Sequence, residues 1–386
     1  MDKGNVLVIG NSGVGKSTLI NAVLGDEAAL TGRGTKGTTT ELQIFENEEI
    51  PFRVIDSVGF EPSRMKAMHA INSVKKWSKE SIKLGKEDTE INLIWFCVDG
   101  TAGKLFPETI KHLIRATKMW KTIPIIVVIT KSYSEPDRVE NIKMVKEAFS
   151  KEKRQFVEII PVVASTFTLN TAAFAGPEGI SELIELTNTL MPEGIKAGTH
   201  DVNQYKIKRK RLFAHSVVAS TTTAATIVGA IPISVADSMI LGPLEVGQIN
   251  ALAKIYEITN DEESKKMFSS ILEVGAVSLA AKNALSLLKS VPGINVGASV
   301  LNALVAGAFV AALGEGSIYI FEKIYNGEKS VEDIDWIKKI METEMSSQFM
   351  ENINEILKWL TEKGNTEDIS KIVNYMLKKM FSEKTS

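Results

Sequence analysis

Eight residues near the start of the chain, Gly10-Asn11-Ser12-Gly13-Val14-Gly15-Lys16-Ser17, narrow the available folds more than anything that follows them. They fit G-x-x-x-x-G-K-[ST], after the apolar run Val6-Leu7-Val8-Ile9 and before a helical pattern over Ser17–Leu24. Strand, glycine turn and helix in that order can wrap phosphate groups. Glycines let backbone N–H groups converge, and the helix start adds the positive end of its dipole. The motif predicts that Asn11, Ser12, Gly13, Val14, Gly15, Lys16, Ser17 and Thr18 line the site. Lys16 would reach the outer phosphates, and the Ser17 hydroxyl would ligate Mg²⁺.

Up to about Met191, short apolar runs alternate with helical patterns. Strands are expected at Asn5–Ile9, Leu42–Phe45, Phe52–Ile55, Asn92–Val98, Ile123–Ile129 and Val157–Val162. Between them Arg64–Leu84, Pro107–Trp120 and Asp137–Phe149 read as helices. The fold class is α/β, a mostly parallel sheet with helices on both faces. The pair 42–45 and 52–55, six residues apart, suits a hairpin and an antiparallel edge. At 386 residues the chain exceeds one ordinary core, so a second domain is expected. Residues 1–190 form the nucleotide domain in this reading, 191–202 a linker, and 203–386 an all-α domain.

A net charge of −2 gives no global reason to expect nucleic acid. The one cysteine, Cys97, sits in an apolar run and excludes a disulfide scaffold, so a reducing cytosol is the expected compartment. The first apolar run leads straight into the glycine loop and does not read as a secretory signal.

Further segments narrow the chemistry. Asp56-Ser57-Val58-Gly59 fits D-x-x-G after an apolar strand. Asp56 could hold Mg²⁺ through water, and Gly59 could offer its N–H to a γ-phosphate. Thr39, in Gly37-Thr38-Thr39-Thr40-Glu41, lies 23 residues after Lys16, where a loop could bring a hydroxyl to Mg²⁺ only while the γ-phosphate is present. The catalytic set is therefore Lys16, Thr39 and Gly59, and the metal set Ser17, Thr39 and Asp56.

With these motifs in order, residues ~4–190 resemble the Era/TrmE branch of the translation-factor-class GTPases. Lys36-Gly37-Thr38-Thr39-Thr40-Glu41 stands where that branch reads P-G-x-T-R-[DE]. The resemblance implies a P-loop GTPase fold and GTP or GDP as ligand. It places Thr130-Lys131-Ser132-Tyr133 at the family's [NT]-K-x-D, with Tyr133 where a carboxylate would read guanine, and Val163-Ala164-Ser165 at its S-A-K loop. Thr130, Lys131, Ala164 and Ser165 become base-side candidates, and Asp137 a substitute for the missing carboxylate. A site without that acceptor discriminates less between bases. Phe60 occupies the position that orients attacking water in Ras-like proteins, so slow turnover is expected, with help from G-domain dimerisation, a potassium ion or another loop. Glu61 is weaker as a water-orienting candidate than as a solvated residue.

The second half is sparse in charge: 15 of residues 215–325 are charged, against 24% of the chain. Ser216–Ala236 and Ser290–Gly314 are uncharged and long enough to span a bilayer, yet unusually polar for it. Ala303, Gly307 and Ala311 give small residues at four-residue spacing. Ahead of them Lys206-Ile207-Lys208-Arg209-Lys210-Arg211 suits an anionic membrane surface on the cytoplasmic side or a solvated helix end. Residues 331–381 carry amphipathic helices, with Ile334, Ile337, Met341, Met345, Phe349, Ile353, Ile356 and Leu360 in one stripe. Residues ~212–325, through Pro232, Asp237, Gln248 and Tyr256, are similar to family 697 among the domains of unknown function, often taken as membrane-associated. Asp237 reads as a helix cap or as a buried carboxylate.

Three functions compete: a GTPase switch that repositions the helical domain against a membrane or partner, a soluble ribosome- or RNA-associated GTPase, and a module that binds nucleotide without turnover. No RNA-binding module or stacking aromatic is visible, and Lys16, Ser17, Thr39 and Asp56 argue against the third.

Overall fold

The computed structural model describes residues 3–25, 29–30, 42–57, 90–102, 110–230 (apart from 112–113, 115–116, 118–119, 121, 153, 171–172 and 193–194), 236–277, 297–363 and 369–381. The chain divides into two compact units, Met1–Ser165 with Pro177–Arg209, and Thr166–Gly176 with Lys210–Ser386.

The first unit is built on a seven-stranded sheet: β1 (Gly4–Gly10), β2 (Ala29–Leu30), β3 (Leu42–Glu46), β4 (Phe52–Ser57), β5 (Ile91–Asp99), β6 (Ile125–Thr130) and β7 (Glu158–Pro161). The order is β2-β3-β4-β1-β5-β6-β7. β1 lies parallel to β4 and β5, and β6 and β7 continue the parallel run. β3 is antiparallel to β4, with Ile44 opposite Ile55, as the hairpin spacing requires. All seven residues of β1 and all six of β6 are buried, which is why these strands read as unbroken apolar runs. The six expected strands are present with ends shifted by at most two residues. Helices α1 (Lys16–Leu24), α2 (Glu135–Ser150) and α3 (Ile180–Leu190) belong to this unit. α3 packs on β5, where the buried Trp95 indole N–H donates to Thr187 Oγ1 at 3.0 Å. Cys97 is buried in β5, and burial pushes its thiol up to about 12, so it packs as a small hydrophobe. Arg64–Leu84 lies outside the described residues, as does most of Pro107–Trp120.

The second unit holds a hairpin, β8 (Phe167–Asn170) with β9 (Ala173–Ala175), and a set of helices. α4 (Thr199–Gly229) starts inside the 191–202 segment and belongs to this unit from Lys210 on. α5 (Ala236–Ile255), α6 (Glu262–Val277), α7 (Ala298–Tyr325), α8 (Ile334–Ile340), α9 (Ser346–Lys363) and α10 (Ile369–Phe381) follow. Three threonines of α4 bond within their own helix: Thr221, Thr223 and Thr226 donate to the carbonyls of Val217, Ala219 and Thr222 at 2.8–3.0 Å, while the buried Thr222 Oγ1 has no hydrogen-bond partner among the described residues. That pairing lets polar residues occupy an apolar interior. Asp201–Gly229 and Ser299–Tyr325 are long and apolar enough to cross a membrane, yet 56% and 78% of their most apolar windows are buried within the protein.

The apolar stripe of the last helices is buried from Ile337 to Leu360. From Ile337 to Ile353 its members recur every fourth residue, whereas an α-helix repeats every 3.6, so the stripe would drift around a regular helix. Met341–Met345 form a π-helical turn between α8 and α9, and the wider turn restores the phase.

The basic run corrects the solvated reading of Lys206, Arg209 and Lys210, all of which are buried. In the first unit Lys206 pairs with Glu185 at 2.7 Å and Lys208 with Glu49 at 2.5 Å. Arg209 donates to the Ala22 and Asn21 carbonyls at 2.9 and 3.1 Å. In the second, Lys210 pairs with Glu257 at 2.8 Å and Arg211 donates through Nε to Glu322 at 3.0 Å. Ion pairs and carbonyls inside the protein engage the charges that would face lipid.

Small residues bring α4 and α7 together. A Cβ on Gly229 would lie 2.8 Å from the Asn302 carbonyl oxygen and 2.9 Å from Ala303 Cα, both backbone atoms that cannot swing aside. Gly229→Val is expected to destabilise the protein by about 1–3 kcal/mol in chemical denaturation, the usual cost of overpacking. Gly242→Ala, with nothing within 4 Å of the added carbon, is expected to be neutral or stabilising.

Candidate functional site

The site forms where β1 runs into α1. Gly15 holds φ 97°, a left-handed conformation that favours glycine, and caps α1 without a side-chain hydrogen bond. No acidic residue occupies the first turn, so the helix start keeps its N–H groups and positive end for a ligand. The other end of α1 is closed: Tyr205 Oη donates to the Val23 carbonyl at 2.6 Å beside the two Arg209 bonds. The apolar face of α1, with Leu19, Ile20, Val23 and Leu24, is buried.

A pocket of about 460 Å³ opens at this point. Ser12, Gly13, Gly15, Lys16, Ser17 and Thr18 line it from the loop and α1, Asp56 and Gln43 from β4 and β3, and Lys131 from the segment after β6. Lys16 Nζ donates to the Gly10 and Asn11 carbonyls at 3.1 and 3.2 Å, folded back over its own loop. Asn11 and Val14 shape the loop without lining the pocket. The Asn11 carbonyl accepts from Val14 N–H at 3.4 Å, and the buried Val14 offers its carbonyl to Thr130 Oγ1.

Asp56 is buried, and its Oδ1 has no hydrogen-bond partner. Burial raises its pKa above the ordinary carboxylate range, against the opposing pull of the Lys16 charge. A buried carboxylate oxygen without a partner, in one pocket with the Ser17 hydroxyl, fits a divalent cation with oxygen ligands. Gln43 stands opposite Asp56 in the β3–β4 register, which puts both side chains on one face. Nothing in the spacing of the edge strand marked Gln43 beforehand.

Thr130 and Lys131 tie the end of β6 to the loop. Thr130 Oγ1 lies against the Val14 and Val98 carbonyls and is buried, so it positions the loop rather than lining the pocket. Lys131, at φ 53°, donates to the Gly13 carbonyl at 2.8 Å and to Asp99 Oδ2 at 2.6 Å. Burial works to raise the Asp99 pKa, but the hydrogen bonds from Lys131 and Thr101 outweigh it and hold the carboxyl below its ordinary range. Asp99, the last residue of β5, was not legible as a site residue because its role depends on β5 lying beside β6. Ala164 and Ser165 follow β7 and do not line the pocket. Asp137 is exposed in the first turn of α2, where its N–H meets the Ser134 cap, and lies outside the pocket lining. Thr39, Gly59, Phe60 and Glu61 lie outside the described residues.

Known proteins bear on this geometry. A family model described as "50S ribosome-binding GTPase" matches residues 5–131. The GTPase Era of Pasteurella multocida is 26% identical over 219 residues, covering 56% of this chain and 62% of its own. The GTPase Era of Clostridium beijerinckii is 28% identical over 199 residues, with 50% and 57% covered. The chain thus spans about three fifths of the length of the curated relatives it matches. A crystal structure of Era in complex with MgGDPNP and nucleotides 1506–1542 of 16S ribosomal RNA is 23% identical and covers 55% of this chain and 68% of that one, at a TM-score of 0.33. Residues 5–131 carry the likeness to the family, and the architecture is a mostly parallel sheet with helices followed by a largely helical region.

The unpartnered Asp56 oxygen sets a testable sign. A raised carboxyl pKa disfavours the ionised form in the folded, ligand-free state, so stability grows as pH falls through the raised value. Asp56→Asn is expected to stabilise the metal-free, nucleotide-free protein near neutral pH, on the order of 1 kcal/mol, and to flatten that pH dependence. Thermal denaturation across the carboxylate range measures both.

Proposed function

We propose that this chain binds Mg-GTP and hydrolyses it slowly, and that nucleotide state repositions the helical region. The observation that carries the reading is the joint lining of one pocket by Lys16, Ser17 and Asp56, with an unsatisfied carboxylate oxygen on one side and the Lys131 anchor on the other. In this reading Lys16 leaves the Gly10 and Asn11 carbonyls for the β- and γ-phosphates, and the loop N–H groups and helix start bind their oxygens. Ser17 and Asp56, with Thr39, would hold Mg²⁺, which would supply charge neutralisation at the outer phosphates. Gly59 offers its N–H to the γ-phosphate. Phe60 brings no hydrogen bond to water, which supports slow intrinsic turnover.

The base assignment to guanine rests on the likeness to the Era GTPases, because Tyr133 stands where a carboxylate acceptor would be. In the helical region, Gln248 and Tyr256 of the 212–325 likeness are fully buried, which supports a packing role for that pattern. The engaged basic run and the buried apolar helices favour a protein partner, or a second copy through the nucleotide unit, over an anionic membrane surface. A ribosomal partner is the second reading, supported by the family description matched over residues 5–131.

Purified full chain is expected to turn over GTP at a low rate that Lys16→Ala reduces about 100-fold or more, as removal of a charge-stabilising donor does. Phosphate release measures this, and an unchanged rate in the variant would put the hydrolysis outside this pocket. Anionic vesicles are expected to leave the rate unchanged, whereas acceleration on them would restore the membrane surface as the partner.

A further inference from the structure

The sheet order fixes which way a nucleotide must lie. β1 delivers the phosphate loop, β4 with Asp56 lies on one side of it, and β5, β6 and β7 lie on the other. A metal held at Asp56 leaves the base the opposite side, over the segments that follow β6 and β7. Those two segments are Lys131–Tyr133 and Val162–Ser165.

They are fastened to each other by an ion pair between residues 40 apart in sequence. Arg138, in the first turns of α2, donates through Nε to the Ser132 carbonyl at 2.7 Å. Its Nη1 and Nη2 meet Glu178 Oε1 and Oε2 at 2.8 and 2.7 Å, a two-pronged contact that fixes orientation as well as distance. Glu178 in turn exchanges both backbone hydrogen bonds with Val163, each at 3.0 Å. Ser132 N–H donates to the Val162 carbonyl at 3.1 Å, closing the ring. Both side chains are largely shielded, at 13% and 28% exposure, so water competes weakly for them. On the inner side the same segment reaches the phosphate loop through Lys131 and the Gly13 carbonyl.

We propose that Arg138 and Glu178 are positioning residues for base recognition: they lock the segment after β6 to the segment after β7 and so preform the surface that a purine ring occupies. The proposal rests on the nucleotide reading above. It gives that reading a source of affinity that the Tyr133 replacement leaves open. Neither residue touches the ligand, and their effect is on where Lys131, Ser132 and Ala164 stand when it arrives.

A base-free ligand separates this role from simple structural support. Mg-GTP and Mg-tripolyphosphate share the phosphate contacts, and only the first carries a base. Binding of each is measured by calorimetry on the full chain, for wild type, Arg138→Ala, Arg138→Lys and Glu178→Gln, with melting temperatures alongside. Arg138→Ala is expected to weaken GTP by roughly tenfold or more, as small misplacements of positioned groups do, and to leave tripolyphosphate unchanged. Arg138→Lys should rescue little, because an ammonium cannot make the planar fork. Glu178→Gln, the gentlest change, should give a smaller loss of the same selectivity. Unchanged GTP affinity in a folded variant, or equal loss of both ligands, would overturn the proposal. A wild-type chain that binds neither ligand would overturn the nucleotide reading itself, and the lock with it.

Discussion

The unpaired N–H groups at the start of α1 set the terms for the first unit. Neither a capping side chain nor an acidic residue satisfies them, and with Ser17 and Thr18 exposed they stay open to the pocket. Thr130 braces the Val14 carbonyl, Lys131 the Gly13 carbonyl, and Arg209 with Tyr205 closes the far end of the helix. The central position of β1, between parallel neighbours on both sides, gives that loop its footing. An anion at this place satisfies the donors, the helix dipole and Lys16 together.

The same accounting of polar groups explains the second unit. Its interior is poor in charge, yet it carries threonines, Gln248 and His215. Thr221, Thr223 and Thr226 return their protons to carbonyls one turn back, Gln248 donates through its amide nitrogen to Thr221 Oγ1 at 2.6 Å, and His215 pairs with Glu315 at 3.0 Å, while Thr222 Oγ1 and Gln248 Oε1 are left without partners among the described residues. Polar groups paired in this way can be buried against Leu, Ile and Phe at little cost. The polarity that sat awkwardly with a bilayer span is therefore consistent with a packed helical core, and the basic run beside it is drawn into contacts within the protein.

Much of this was legible in the sequence, where local rules dominate. The phosphate loop, the six strands and the apolar stripe follow from spacing, because glycine geometry and periodic burial act within a few residues. Three features were not legible. β2 and the β8–β9 hairpin are too short to show a period. The π-helical turn at Met341–Met345 is carried only indirectly, by a four-residue spacing that a regular helix cannot sustain. Asp99, Gln43, Arg138 and Glu178 acquire their roles from neighbours 13 to 40 residues away, set by strand order and register. Asp137, the substitute carboxylate suggested by proximity in sequence, is exposed in the first turn of α2 outside the pocket lining, and only its backbone N–H is engaged, by the Ser134 cap.

The central claim is that this pocket holds a guanine nucleotide through its phosphates and its base. Competition between unlabelled GTP and ATP for a bound fluorescent guanine nucleotide, in Mg²⁺ and again after chelation, tests it most directly. The account predicts stronger displacement by GTP than by equal ATP, and loss of binding when the metal is removed. Equal displacement by the two nucleotides, or binding indifferent to Mg²⁺, would contradict it.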